Sequence, residues 1–114
     1  MTLRKQQSKF ARLLARLLDK AHELGFEATL GEAWRPPIVA EHYARTGRGI
    51  SRSLHIDRLA IDINLFKDGQ YLDATEAHRP LGEWWEQQDP DCRWGGRFPR
   101  PDGNHYSLAW EGRA

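Results

Sequence analysis

Residues 59–66, Leu-Ala-Ile-Asp-Ile-Asn-Leu-Phe, alternate so regularly that they restrict the fold more than any other part of the chain. Successive side chains of a β-strand point to opposite faces, so Leu59, Ile61, Ile63 and Leu65 share one face while Ala60, Asp62 and Asn64 share the other. Such a strand belongs to a sheet with one face on an apolar core and the other turned to a cleft or to solvent. Asp62 then stands on the open face, and its neighbouring isoleucines do not bury it.

The cover for the apolar face is written near the N-terminus. Phe10, Leu13, Leu14, Leu17, Leu18, Ala21 and Leu24 recur at helical spacing, and Gly25 follows where a left-handed terminator is favoured. An amphipathic helix over about residues 4–24 is therefore expected to pack on the sheet. "FEATLGEAW" reads as a short strand, and Pro36 and Pro37 open a second helix that runs to about residues 43–45. "TGRGISRS", residues 46–53, reads as a flexible loop, and Asp68-Gly69 in "KDGQY" as a turn folding Tyr71 and Leu72 back as a hairpin partner. A helix over 81–88, a Gly- and Pro-rich loop over 89–104 and a last strand over 105–110 complete the chain. That strand carries His105, Ser107 and Ala109 on one side and Tyr106, Leu108 and Trp110 on the other.

These elements predict an α+β fold, a small antiparallel sheet with helices packed on one face and the other left open for the site considered below. At 114 residues the chain fits one domain, 1–114, with no repeat or linker. Seventeen basic against 16 acidic residues leave a net charge of +1, which supplies no bulk attraction for nucleic acid or an anionic membrane. The basic residues between positions 3 and 16 are spaced along the first helix as a solvated face. Cys92 is the only cysteine, so no intramolecular disulfide forms. No apolar run approaches ~20 residues, so membrane insertion is not expected, and the N-terminus lacks a signal-type segment.

If the strands carrying Asp62 and His105 are neighbours, both side chains project from one surface, and the loop before the first strand brings His55 over it. Two imidazoles and a carboxylate suffice for a catalytic zinc whose fourth position is left to water. Asp102, three residues before His105 in "PDGNH", sits in a turn that brings a carboxylate to that water as general base. A polar strand face with one Asp and one His is more often merely exposed, and periodicity does not separate the two readings.

The motifs favour the metal. Ser53-x-His55, Ala60-x-Asp62 and Asp102-x-x-His105, in that order, resemble the zinc D-alanyl-D-alanine carboxypeptidases and dipeptidases, a family that includes the phage L-alanyl-D-glutamate endopeptidases. "GEAWRP" resembles the family's segment with a substrate-binding arginine, and "WGGRFPRPDGNHYSL" its approach to the last histidine. The resemblance, from about residue 30 to residue 110, implies one Zn2+ held by His55, Asp62 and His105. It implies Asp102 as general base and Arg35 as the group steadying the oxyanion. Ser53 then orients substrate or a ligand, because no base beside it would activate a nucleophile, and Trp34 and Trp94 shape the substrate groove.

Two departures stand out. Arg58 replaces a glycine common among relatives, and the base is Asp102 where the dipeptidase and carboxypeptidase branches usually have glutamate. The shorter acid resembles the endopeptidase branch, so hydrolysis of the stem peptide's L-Ala-D-Glu bond by a phage or prophage lysis enzyme is the expected function. The alternatives are a D-alanyl-D-alanine carboxypeptidase and a zinc-stabilised binding module without turnover, since hedgehog signalling domains look similar at the metal site. The partner expected is a peptidoglycan stem peptide, met by a monomer at the bacterial wall or periplasm. His22 and His42 are expected at the surface, His78 capping a helix or exposed, Trp84 and Trp85 in the core or groove wall, and Cys92 passive.

Overall fold

In the computed structural model, which describes residues 1–47 and 53–114, the 21-residue helix α1 (Leu3–Glu23) runs under a five-stranded antiparallel sheet. Thr2 caps α1 by accepting a hydrogen bond from the Lys5 amide through its hydroxyl, 3.2 Å. The helix ends as its sequence predicts: Gly25 takes a positive φ of 91°, and the Phe26 amide reaches back to Ala21 O. Phe10, Leu13, Leu17 and Ala21 form its buried stripe.

The strands are β1 (Glu27–Leu30), β2 (Ala60–Lys67), β3 (Gln70–Leu72), β4 (Cys92–Trp94) and β5 (His105–Leu108), in the order β1-β2-β5-β4, with β3 paired to the end of β2. Between them lie α2 (Pro37–Arg45) and α3 (Arg79–Glu86), with short 3-10 turns at Thr75–His78 and Gly95–Arg97. Residues 48–52, the centre of the loop expected over 46–53, lie outside the described residues.

The alternation in β2 holds. Leu59, Ile61, Ile63 and Leu65 are all essentially inaccessible, while Asp62 and Asn64 are half-buried on the other face. They meet the α1 stripe together with Leu81 and Trp85 of α3. Burying a side chain of this size contributes roughly 1.5–3 kcal/mol, so this layer is the main source of stability.

Three expectations need correction. The segment expected as loop over 89–104 contains β4, which pairs Cys92 with Leu108 and Trp94 with Tyr106. As a result β5 is an inner strand, and all four of its residues are buried, Ser107 on the expected open face included. His78 stands at the N-cap position of α3, as expected, but its side chain makes no capping bond and is buried, 2% exposed, with Nδ1 2.8 Å from the Tyr106 hydroxyl; desolvation lowers its pKa to about 4. His22 and His42 are exposed, Trp85 is core, and Cys92 is buried with its thiol pushed up to about 12 by desolvation.

Candidate active site

Register brings the first two site residues together. Asp62 of β2 is the direct partner of His105 of β5, so the two side chains project side by side from one face. His55 arrives from a helical turn over 53–59, closed by the Arg58 amide on His55 O (3.3 Å) and the Leu59 amide on Leu54 O (3.0 Å). That pairing is a Schellman ending, and its penultimate residue must be left-handed. Arg58 occupies it with φ 57°, the conformation glycine takes readily, so the arginine is accommodated in the turn and its guanidinium lies 4.5 Å from the Trp34 ring. Ser53, also buried, accepts the His55 amide through Oγ at 3.2 Å and so holds the turn that carries the histidine.

The three side chains converge on one atom. Asp62 Oδ1 lies 3.3 Å from His55 Nε2 and 3.9 Å from His105 Nδ1, and the imidazoles meet edge to face at 5.3 Å. This oxygen is buried and accepts no hydrogen bond. Left bare, such a group costs roughly 1–3 kcal/mol. Two donors bound to a tetrahedral zinc lie about 3.4 Å apart, close to the separations here. One ligand atom from each residue falls within 4.8 Å of the others, so His55, Asp62 and His105 fit a metal ion. Desolvation, then the charge of His55, lowers His105 to about 4, so at neutral pH the ring has a free lone pair to donate.

Above this floor opens a cavity of about 430 Å³ whose lining includes Arg35, Ser53, Phe98, Arg100 and Asp102. Arg35 is anchored twice: its amide donates to His55 O at 3.1 Å, and its guanidinium donates through Nε to Glu32 Oε1 at 2.7 Å. The same guanidinium lies 5.1 Å from the Tyr43 ring. Asp102 is exposed at the rim, yet the protein around it raises its carboxyl above the usual range. Desolvation is the first cause and the charge of Asp62 the second, while His55 and Arg35 oppose them.

Neither Trp34 nor Trp94, expected to shape the substrate groove, lines this cavity. Trp94 is 1% exposed, and its indole donates to Gly103 O at 2.7 Å. Its ring occupies the space that a Cβ at Gly82 or Gly96 would need, at 2.2 and 2.3 Å. At Gly95 a Cβ would strike Asp102 O at 2.1 Å, and the Asp102 amide bonds Gly95 O at 2.9 Å. The Trp-Gly-Gly motif therefore sets the turn that carries Asp102, and its own residues do not line the cavity. Trp34 is exposed, bonds Ile56 O through its indole and does not line the cavity.

A family model described as D-alanyl-D-alanine carboxypeptidase matches residues 46–108, more than half of the chain. The chain belongs to this peptidase family. The matched span contains the turn, β2 and β5, and thus all three members of the His-Asp-His cluster. Comparison with curated proteins yields no match. Among solved structures the fold is similar to the Serratia marcescens L-Ala D-Glu endopeptidase ChiX, with a TM-score of 0.74 at 18% identity over 90% of this chain and 79% of that one. Arg35 precedes the family match, which makes its arrival in the same cavity a finding of the tertiary structure.

Two residues to which the motifs assign no role also belong to the site: Glu32, which contacts Arg35 and lies 3.6 Å from His55 Nδ1, and Phe98, whose ring lies 5.1 Å from that of His105. Glu32 had no local signal, because a spacing of three from Arg35 brings side chains together only on a helix and residues 31–36 lie between β1 and α2. Phe98 had none beyond its place in the segment before His105. No helix among the described residues is long and apolar enough to cross a membrane.

Proposed function

We propose that this protein is a zinc-dependent peptidase acting on peptidoglycan stem peptides at the bacterial wall, with the L-alanyl-D-glutamate bond as its target. One observation carries the reading: a single cavity collects a metal-fitting His-Asp-His floor, a carboxylate outside that cluster and an anchored guanidinium. A purely structural zinc needs neither Asp102 nor Arg35.

A zinc ion held by His55, Asp62 and His105 would supply Lewis acidity, lowering the pKa of water and polarising the scissile carbonyl. The Asp102 carboxylate takes a proton from the attacking water as the C–O bond forms. Its raised pKa suits this, because a base closer to neutrality also serves as the acid that follows. Arg35, permanently charged, donates to the oxygen of the tetrahedral oxyanion as negative charge develops. Protonated Asp102 then passes its proton to the leaving amine as the C–N bond breaks. Ser53 stays outside this sequence and holds the His55 turn.

The description of the matching family favours a second bond, the terminal D-Ala-D-Ala. The shorter acid at Asp102 favours the first, and the similar fold of an L-Ala D-Glu endopeptidase agrees with it. Mass spectrometry of purified wall digested with and without chelator separates them: new N-terminal D-Glu supports the endopeptidase and released D-Ala the carboxypeptidase. Absence of any product would leave a zinc-binding module and sink the peptidase reading.

A further inference from the structure

The stretch from Gly31 to Arg35 lies along two of the three residues of the floor, Asp62 and His55. The Gly31 amide donates to Asp62 O at 2.7 Å, the Asp62 amide to Glu32 O at 2.9 Å, and the Arg35 amide to His55 O at 3.1 Å. Its one carboxylate, Glu32, presents Oε1 to two partners at once. Arg35 contacts it through Nε at 2.7 Å and Nη2 at 2.5 Å, and His55 Nδ1 lies 3.6 Å away. That nitrogen is buried and has no hydrogen-bond partner, while Nε2 of the same ring faces Asp62 Oδ1. An imidazole that gives its Nε2 lone pair to a cation carries its proton on Nδ1, and a carboxylate behind that proton fixes the ring and raises its basicity. Closing the gap by about half an ångström makes the hydrogen bond.

We propose that Glu32 is a positioning residue that couples the two halves of the site, orienting His55 toward the metal and holding Arg35 over the cavity through one carboxylate oxygen. The inference rests on the peptidase reading for its arginine half alone. It explains why Arg35, an exposed-type residue, has a side chain only 12% accessible and paired with Glu32. Arg35 is thereby held ready for charge that appears only in the transition state.

The test is the isosteric variant Glu32→Gln, with Arg35→Ala beside it. Zinc affinity, measured by competition with a chromophoric chelator, is expected to fall about tenfold or more in Glu32→Gln and to stay within about threefold of the parent in Arg35→Ala. At saturating zinc, kcat of Glu32→Gln on muropeptide should still fall about tenfold with KM little changed, because the misplaced guanidinium acts on the transition state. Either quantity remaining at the parent value overturns the coupling. Should Glu32→Gln melt early, Glu32→Asp, which keeps the charge, must recover part of the zinc affinity; failure to do so overturns it equally. A parent protein that binds zinc and cleaves nothing would sink the peptidase reading, and the zinc comparison would still decide the His55 half.

Discussion

The floor of the site and its rim are built from different material. His55, Asp62 and His105 stand on a closed turn and two inner strands, flanked by Leu54, Ile61, Ile63 and Tyr106, each essentially inaccessible. Asp102 and Arg35 stand on connecting segments, the first exposed and the second tethered by Glu32. The floor cannot change without disturbing the core, whereas the rim can. Metal binding and fold stability should therefore move together at the floor, while chemistry should be separable from stability at the rim.

Breaking the floor should give the largest effect. His55→Ala is expected to lose zinc and all cleavage, and with zinc the stabilisation it confers. For an ion at a thousand times its dissociation constant that is about 4 kcal/mol, a melting shift on the order of 10 °C or more. Calorimetry with and without chelator checks it; a variant that still melts higher with zinc would remove His55 from the ligand set. At the rim, Asp102→Ala should lower kcat on muropeptides by about 10²–10⁴-fold with one zinc still bound and the melting temperature nearly unchanged. Persistent cleavage would show that another group takes the proton.

A smaller effect sharpens the contrast from behind the floor. His78 supports Tyr106, the neighbour of His105, and its folded-state pKa is depressed to about 4. As pH falls the unfolded chain takes up this proton first, near 6.5. The contribution is therefore full above about pH 6.5 and is lost as pH falls toward 4, at most about 3 kcal/mol. Urea midpoints of chelated protein against pH should slope less in His78→Gln; parallel curves would mean that His78 titrates normally. The smallest effect concerns Arg58. Arg58→Ala loses the contact with Trp34 and keeps the left-handed strain, while Arg58→Gly loses the contact and relieves the strain. Glycine should therefore be more stable by about 1 kcal/mol. Equal urea midpoints would show that the turn stores no strain.

Legibility in the sequence followed the range of the interactions. The α1 stripe, its Gly25 ending and the two faces of β2 depend on neighbours within a few residues, so periodicity reveals them. β4 is three residues long among glycines and prolines, too short for any period to register. Trp94 stands beside Gly95 in a motif near the last histidine, which invites a groove role. Its actual partners are Gly82, Gly96 and Gly103, and no local pattern discloses that packing. His78 does stand at the start of α3, but its burial against Tyr106, 28 positions away, leaves no local trace.

The sequence by itself determined that Asp62 faces away from the core, because a side-chain period of two admits no other assignment once the isoleucines are buried. With the ordered motifs it also singled out His55, His105, Asp102 and Arg35. Only the tertiary structure decided that β5 lies directly against β2 so that Asp62 and His105 are partners, and that Glu32 reaches both Arg35 and His55. It also showed that Arg58 stands where the chain turns left-handed. Each of these depends on groups distant along the chain, or on a backbone angle that an arginine does not advertise.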